Sequence, residues 1–120
     1  MIFIKKTKKY GRGVYAAKNI KTGNVIEVCE VLVLSQNDTK LVNKTDLKYY
    51  VFKYNDKQDC IVLGNGEFFN HADSPNVSFK LIKNKMVFRA LKNIIKGKQL
   101  FTNYNEDVEV NTKKYTKNLI

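Results

Sequence analysis

Apolar runs in this chain are short, rich in β-branched and aromatic residues, and interrupted by turn residues at close intervals. That pattern builds many short strands and leaves no room for long helices. Ile2-Phe3-Ile4 reads as an opening strand, Gly11 and Gly13 flank a tight turn into Val14-Tyr15-Ala16-Ala17, and Lys21-Thr22-Gly23-Asn24 leads into a bent central strand over residues 25–34. Residues 35–48 are polar with scattered leucines and predict a loop with one helical turn. Extended structure is then expected to resume at Tyr49-Tyr50-Val51-Phe52. Residues 77–81 and 86–91 alternate in character around Lys83-Asn84-Lys85 and predict a hairpin. The fold class is mostly β.

A chain of 120 residues accommodates one domain with one modest core, so residues 1–120 are expected to be a single unit, with the core over about 1–107 and a polar tail over 108–120. No apolar stretch is long enough to span a bilayer, which excludes a membrane-inserted class. Met1-Ile2-Phe3-Ile4-Lys5-Lys6 places apolar residues ahead of lysines, the wrong layout for a signal peptide, and an intracellular protein is expected, in a bacterial cytoplasm or in a nucleus or cytoplasm of a host. Cys29 and Cys60 each lie inside an apolar run, where a free thiol behaves as a small hydrophobe. With no CxxC and a single histidine, no metal is expected.

Lysine and arginine outnumber the acids 22 to 11, giving a formal charge of +11. Such a field favours polyanions, and nucleic acid is an expected partner class; the same excess equally fits solvated surface lysines. Glu106-Asp107-Val108-Glu109 breaks the uniform sign and is a candidate dock for a basic peptide.

Three segments carry chemistry. Gly11-Arg12-Gly13-Val14-Tyr15-Ala16 removes side chains where backbone must approach something closely. Asn70-His71-Ala72-Asp73-Ser74-Pro75-Asn76 brackets a proline turn with short polar groups, and Leu100-Phe101-Thr102-Asn103-Tyr104 closes an apolar strand with a tyrosine. Each alone has a bland explanation: a strand-entry turn, a satisfied structural histidine, a core tyrosine. In this order and at these separations, the three together resemble the SET-domain lysine methyltransferases over most of the chain. The absence of a cysteine-rich zinc segment after the core resembles the minimal members of that family, including compact viral enzymes.

The resemblance implies a fold of several small curved sheets with a knot-like threaded C-terminal segment, and a reaction in which S-adenosyl-L-methionine gives a methyl group to the ε-amine of a protein lysine, in a histone or another chromatin-like protein. It implies that Arg12, Gly13, Tyr15, Asn70, His71 and Tyr104 bind the cofactor, with Tyr15 packed behind the glycine turn. Tyr104 matches the family's active-site tyrosine. Tyr50 is expected as the second wall of the lysine channel, or Tyr49 if the register slips by one. Thr102 stands where many members carry a larger aromatic, leaving the channel more room, and Glu106, Asp107 and Glu109 would form the substrate-side rim. Ala72, Ser74 and Asn103 depart from the usual serine, aspartate and aspartate. The short C-terminus leaves a homodimer open, and a noncatalytic basic β-module that binds nucleic acid or a partner protein is the alternative function.

Overall fold

The computed structural model describes residues 1–105. Nine strands dominate: β1 (Ile2–Lys6), β2 (Arg12–Ala16), β3 (Val25–Val33), β4 (Phe52–Lys53), β5 (Asp59–Val62), β6 (Asn70–His71), β7 (Val77–Ile82), β8 (Lys85–Ala90) and β9 (Gln99–Thr102). They form a four-stranded sheet in the order β1-β2-β9-β6 and a five-stranded sheet in the order β4-β5-β3-β8-β7.

The expected hairpin is present as β7 and β8, paired from Val77↔Ala90 to Ile82↔Lys85. Lys83 and Asn84 both take positive φ, 49° and 65°, which gives the turn the twist that two paired strands require. The long strand β3 is shared between two neighbours, as its length and charge pattern permit. Its first part pairs with β8, with a register shift between Val25 and Glu27, and residues 31–33 pair with β5.

Residues 35–50 depart from the sequence expectation. Ser35 accepts a hydrogen bond from the Asp38 backbone and caps a helix, α1 (Gln36–Val42), longer than the single turn anticipated. Thr45 caps a 3-10 turn over Asp46–Tyr49, which consumes Tyr49 and leaves Tyr50 as its C-cap, so extended pairing begins only at Phe52. Local side-chain capping therefore wins over the β-favouring aromatics at these positions.

The core is built from Phe52, Phe69, Phe79 and Phe88 with Val14, Ile20, Met86 and Leu100, all buried. Phe69 stacks on Phe88 at 4.6 Å between ring centroids, and Phe52 meets Phe79 edge-on at 5.3 Å. Burying each such ring contributes about 2–3 kcal/mol, so this aromatic seam holds the short strands together. Cys29 and Cys60 are buried within it and form no disulfide.

The pairing of β6 with β9 matters most for function. It is parallel, joins Asn70 to Phe101 and His71 to Thr102, and puts two of the motif segments side by side. On its other edge β9 pairs with β2 through Val14↔Leu100 and Tyr15↔Gln99, which brings in the third.

Candidate active site

The turn before β2 is closed by the Thr7 backbone N–H donating to the Gly11 carbonyl, and Gly11 supplies the positive φ of 77° that this turn needs. Gly13 has a different task. A Cβ built there would lie 2.7 Å from Gln99 Oε1, 2.9 Å from Thr7 Cγ2 and 3.0 Å from Asn70 Nδ2. Its bare Cα therefore makes room for the Asn70 amide, whose Nδ2 donates to the Arg12 carbonyl and to Gln99 Oε1, both at 3.0 Å. Gln99 in turn donates to the Tyr15 hydroxyl at 3.3 Å. Arg12, Gly13, Tyr15 and Asn70 are thus joined in one cluster, with Gln99 as its hub.

Tyr15 stacks on Phe3 at 5.7 Å and holds the Lys5 ammonium over its ring at 4.6 Å, which fixes the ring against β1. Arg12 lies 4.9 Å over the Phe68 ring. Beside this cluster a groove of about 520 Å³ is walled by Thr7, Lys8, Tyr10, Tyr15 and Gln99.

The second half of the site centres on Tyr104, which is 3% exposed. Its hydroxyl donates to the Phe69 carbonyl at 2.7 Å, and its backbone N–H donates to His71 Nδ1 at 3.0 Å. An accepting Nδ1 fixes the neutral imidazole with its proton on Nε2, which meets Asp73 Oδ1 at 3.0 Å. Burial pushes the Tyr104 phenol well above its ordinary range, and the neighbouring Glu67, Tyr10 and Tyr50 add to the shift. Tyr104 is therefore a neutral hydroxyl at physiological pH.

Asn76 locks β9 into place. Its amide donates to the Gln99 carbonyl at 3.0 Å and accepts from the Phe101 N–H at 2.8 Å, so one side chain imitates a paired strand. The neighbouring Ala72 N–H donates to the Thr102 carbonyl at 3.0 Å. Thr102 itself is buried next to His71 in register.

Tyr50 acts electrostatically on Tyr104, although half of its own surface is exposed at 51%. Tyr49 instead holds Lys48 over its ring at 5.2 Å. Glu106, Asp107, Glu109 and the tail that was expected to thread beneath a loop lie outside the described residues. Among the described residues no group of three or more histidine, cysteine, aspartate and glutamate side chains could hold a metal, and no helix is long and apolar enough to cross a membrane.

Sequence reasoning missed three participants. Gln99 is a single polar residue at a strand entrance, and Tyr10 sits in a lysine run that looks like solvated loop. Tyr10 in fact packs edge-on against Phe101 at 6.3 Å and donates its backbone N–H to Thr7 Oγ1 at 2.7 Å. Glu67 is hidden in an apolar segment. Only a polar residue inside that segment was available as a signal.

A family model described as SET domain matches residues 11–105. A histone-lysine N-methyltransferase of Schizosaccharomyces pombe, H3 lysine-37 specific, is 29% identical over 106 residues, covering 86% of this chain and 72% of that protein. The histone-lysine N-methyltransferase trithorax of Drosophila virilis is 31% identical over 107 residues, which cover 79% of this chain and 3% of trithorax. A candidate histone methyltransferase of Plasmodium falciparum superposes with a TM-score of 0.73 at 26% identity, over 88% of this chain and 94% of the other. A humanized mutant of Polycomb Repressive Complex 2 from Chaetomium thermophilum has the same fold, with a TM-score of 0.73 at 21% identity over 91% of this chain and 15% of that one.

Proposed function

This chain belongs to the SET-domain family of protein-lysine methyltransferases, and we propose that it takes its methyl group from S-adenosyl-L-methionine and gives it to the ε-amine of a lysine in a histone or similarly basic protein. The observation that carries this reading is the pair of hydrogen bonds that clamp Tyr104 to Phe69 and His71, joining the terminal tyrosine to the Asn-His segment.

The residues present fit the cofactor. Asn70 Oδ1 makes no hydrogen bond among the described residues, so with both amide hydrogens committed it offers an acceptor for an ammonium group. Arg12 and the lysines of the adjoining groove offer cations for a carboxylate. The groove of about 520 Å³ lies in the range of small-molecule sites. We assign Arg12, Gly13, Tyr15, Asn70, His71 and Tyr104 to holding the cofactor, which supplies an electrophilic methyl on a sulfonium.

The chain's own residues orient and desolvate. Tyr104 commits its hydroxyl proton to the Phe69 carbonyl, so its oxygen is turned to accept from whatever enters the channel. A neutral phenol with a raised pKa is no general base, and its contribution is alignment. The lysine substrate loses its proton to solvent because an apolar channel beside a sulfonium disfavours the ammonium. Tyr50 is the second wall, with Thr102 setting the room beside it and Tyr49 as the flanking contact. Residues 1–107 are the catalytic core in this reading, and Glu106, Asp107 and Glu109 are the acidic residues proposed to receive a basic peptide.

Calorimetry with S-adenosylmethionine, followed by labelled methyl transfer to a panel of histones and other basic proteins, tests the proposal. Saturable binding, weakened in Asn70→Ala, together with label on a lysine, is the expected result. A folded protein that binds no cofactor rejects it.

A further inference from the structure

The carboxylates of the described residues all fall between positions 27 and 73. Residues 1–26 and 74–105 each carry seven cations and no acid. The fold packs these two acid-free segments against each other. Ile20 and Ile94 form an isolated bridge with reciprocal backbone hydrogen bonds of 2.8 Å. Thr22 donates its backbone N–H to Asn93 Oδ1 at 2.9 Å, Lys96 donates its own to Asn19 Oδ1 at 2.8 Å, and Gly97 to the Ala16 carbonyl at 2.8 Å.

Two loops bonded to each other therefore carry Lys18, Lys21, Lys92, Lys96 and Lys98, every one exposed. None of the five forms an ion pair among the described residues, whereas Lys53 and Lys85 elsewhere do. Arg89 extends the same face through its bond to the Gly23 carbonyl at 3.3 Å.

Strand direction separates this face from Tyr104. Lys98 precedes β9 at the end where Ala16 bonds to it, and Thr102 ends the strand beside His71, about 13 Å of extended chain away. The face borders the Asn70 cluster at Lys98, the neighbour of Gln99, and Tyr104 lies beyond the far end of the strand.

We infer that the 18–21 and 92–98 loops form a binding face for the phosphate backbone of double-stranded nucleic acid, distinct from the methyl-transfer site. Point charges on flexible stems, held on a rigid base, match the regular phosphate array of a duplex, and they read no sequence. An acidic protein partner is the less suited occupant. The exposed aliphatics of the 92–98 loop are limited to Ile95, with Leu91 just before it. A protein interface needs a larger apolar centre.

The test measures binding of a fluorescent mixed-sequence DNA duplex by anisotropy across a salt series, for the parent and for a variant carrying Lys18→Ala, Lys21→Ala, Lys92→Ala and Lys96→Ala. The parent should lose affinity with salt at a log–log slope of about −4 to −5, and the variant's slope should shrink by about 3 to 4 units with at least a tenfold loss of affinity at low salt. A control with Lys40→Ala, Lys44→Ala and Lys57→Ala, from the acid-interspersed side, should bind like the parent. Lysine acetylation footprinting of the unaltered protein gives an independent readout, with DNA expected to protect Lys18, Lys21, Lys92, Lys96 and Lys98. The inference is overturned if the four-lysine variant binds as tightly as the parent, if the control loses as much, if footprinting protects other lysines, or if polyglutamate displaces the duplex at equal charge. None of these readouts depends on methyl transfer or on cofactor binding.

Discussion

The backbone N–H of Tyr104 donates to Nδ1 of His71 across 3.0 Å, so the histidine holds the tyrosine by its main chain while the phenol is held separately by Phe69. Two anchors on one residue fix both the position and the direction of its ring. The family-like Asn-His segment and the terminal tyrosine are therefore one mechanical unit.

The ring of His71 should be the Nε2–H tautomer at neutral pH. Nitrogen-15 spectra of histidine-labelled protein should show Nδ1 unprotonated and Nε2 carrying the proton. His71→Ala should cost about 1–3 kcal/mol in urea unfolding, because the Tyr104 N–H is left buried without its acceptor. A protonated Nδ1 would contradict the hydrogen bond.

Tyr104→Phe should reduce methyl transfer by about 10²-fold, the scale of a small misplacement of the reacting groups. Loss of the hydroxyl also orphans the Phe69 carbonyl and should lower stability by about 1–3 kcal/mol. Cofactor affinity measured by calorimetry should change far less than turnover. Equal losses in both would assign the hydroxyl to binding rather than alignment.

Gly13→Ala should weaken cofactor binding even though the glycine's φ is not in the left-handed region. The new methyl displaces Gln99, Thr7 and Asn70 at once, and so breaks the cluster that orients the Asn70 amide. A roughly tenfold loss is expected, about 1.4 kcal/mol. Adding Gln99→Ala removes one of the three clashes and should recover stability without restoring affinity, a pattern readable by combining thermal melts with calorimetry.

Stability should fall on the alkaline side. Burial, then the hydrogen bond to Glu27 and its charge, push the Cys29 thiol up from 9.0 to about 12, and burial pushes Tyr104 up from 10.0. Both groups lose their protons earlier in the unfolded chain, so the native state binds more protons above about pH 9 and stability declines as pH rises. Below about pH 9 the contribution is complete. Urea midpoints should drop from about pH 9 up to about pH 12, and Cys29→Ala should remove the earlier part of that decline. A midpoint that decays identically in parent and variant would show that the thiol is not the source.

The hairpin of β7 and β8 was legible because alternation and its turn lie within a few residues of each other. The three motif segments were legible as pieces, since each has a local signature. Their relationship was not, because the parallel join of β6 to β9 depends on a side-chain amide from Asn76 and on no pattern within either two-to-four-residue strand. Tyr49-Tyr50-Val51-Phe52 misled in the opposite way: its composition favours a strand, but the Thr45 cap upstream winds the chain through Tyr49. Gln99 and Tyr10 carry no local signal: Gln99's role arises from what the glycine at position 13 allows to come near, and Tyr10's from its packing against Phe101.

The parallel pairing of β6 with β9 also fixes when the site comes into being. During synthesis the chain emerges from its N-terminus, and Asn70 and His71 are exposed well before residues 99–104 exist to receive them. The β7–β8 hairpin between them can close early, since its contacts are local, and in closing it draws the two short strands toward one another. A ribosome-held fragment ending at residue 95 thus contains the glycine turn, the asparagine and the histidine but has neither Gln99 to hold the amide nor Tyr104 to occupy the imidazole. Catalytic competence therefore waits until residues 99–104 have been made rather than accumulating along the chain, and a nascent chain that stops short of them is an inert scaffold.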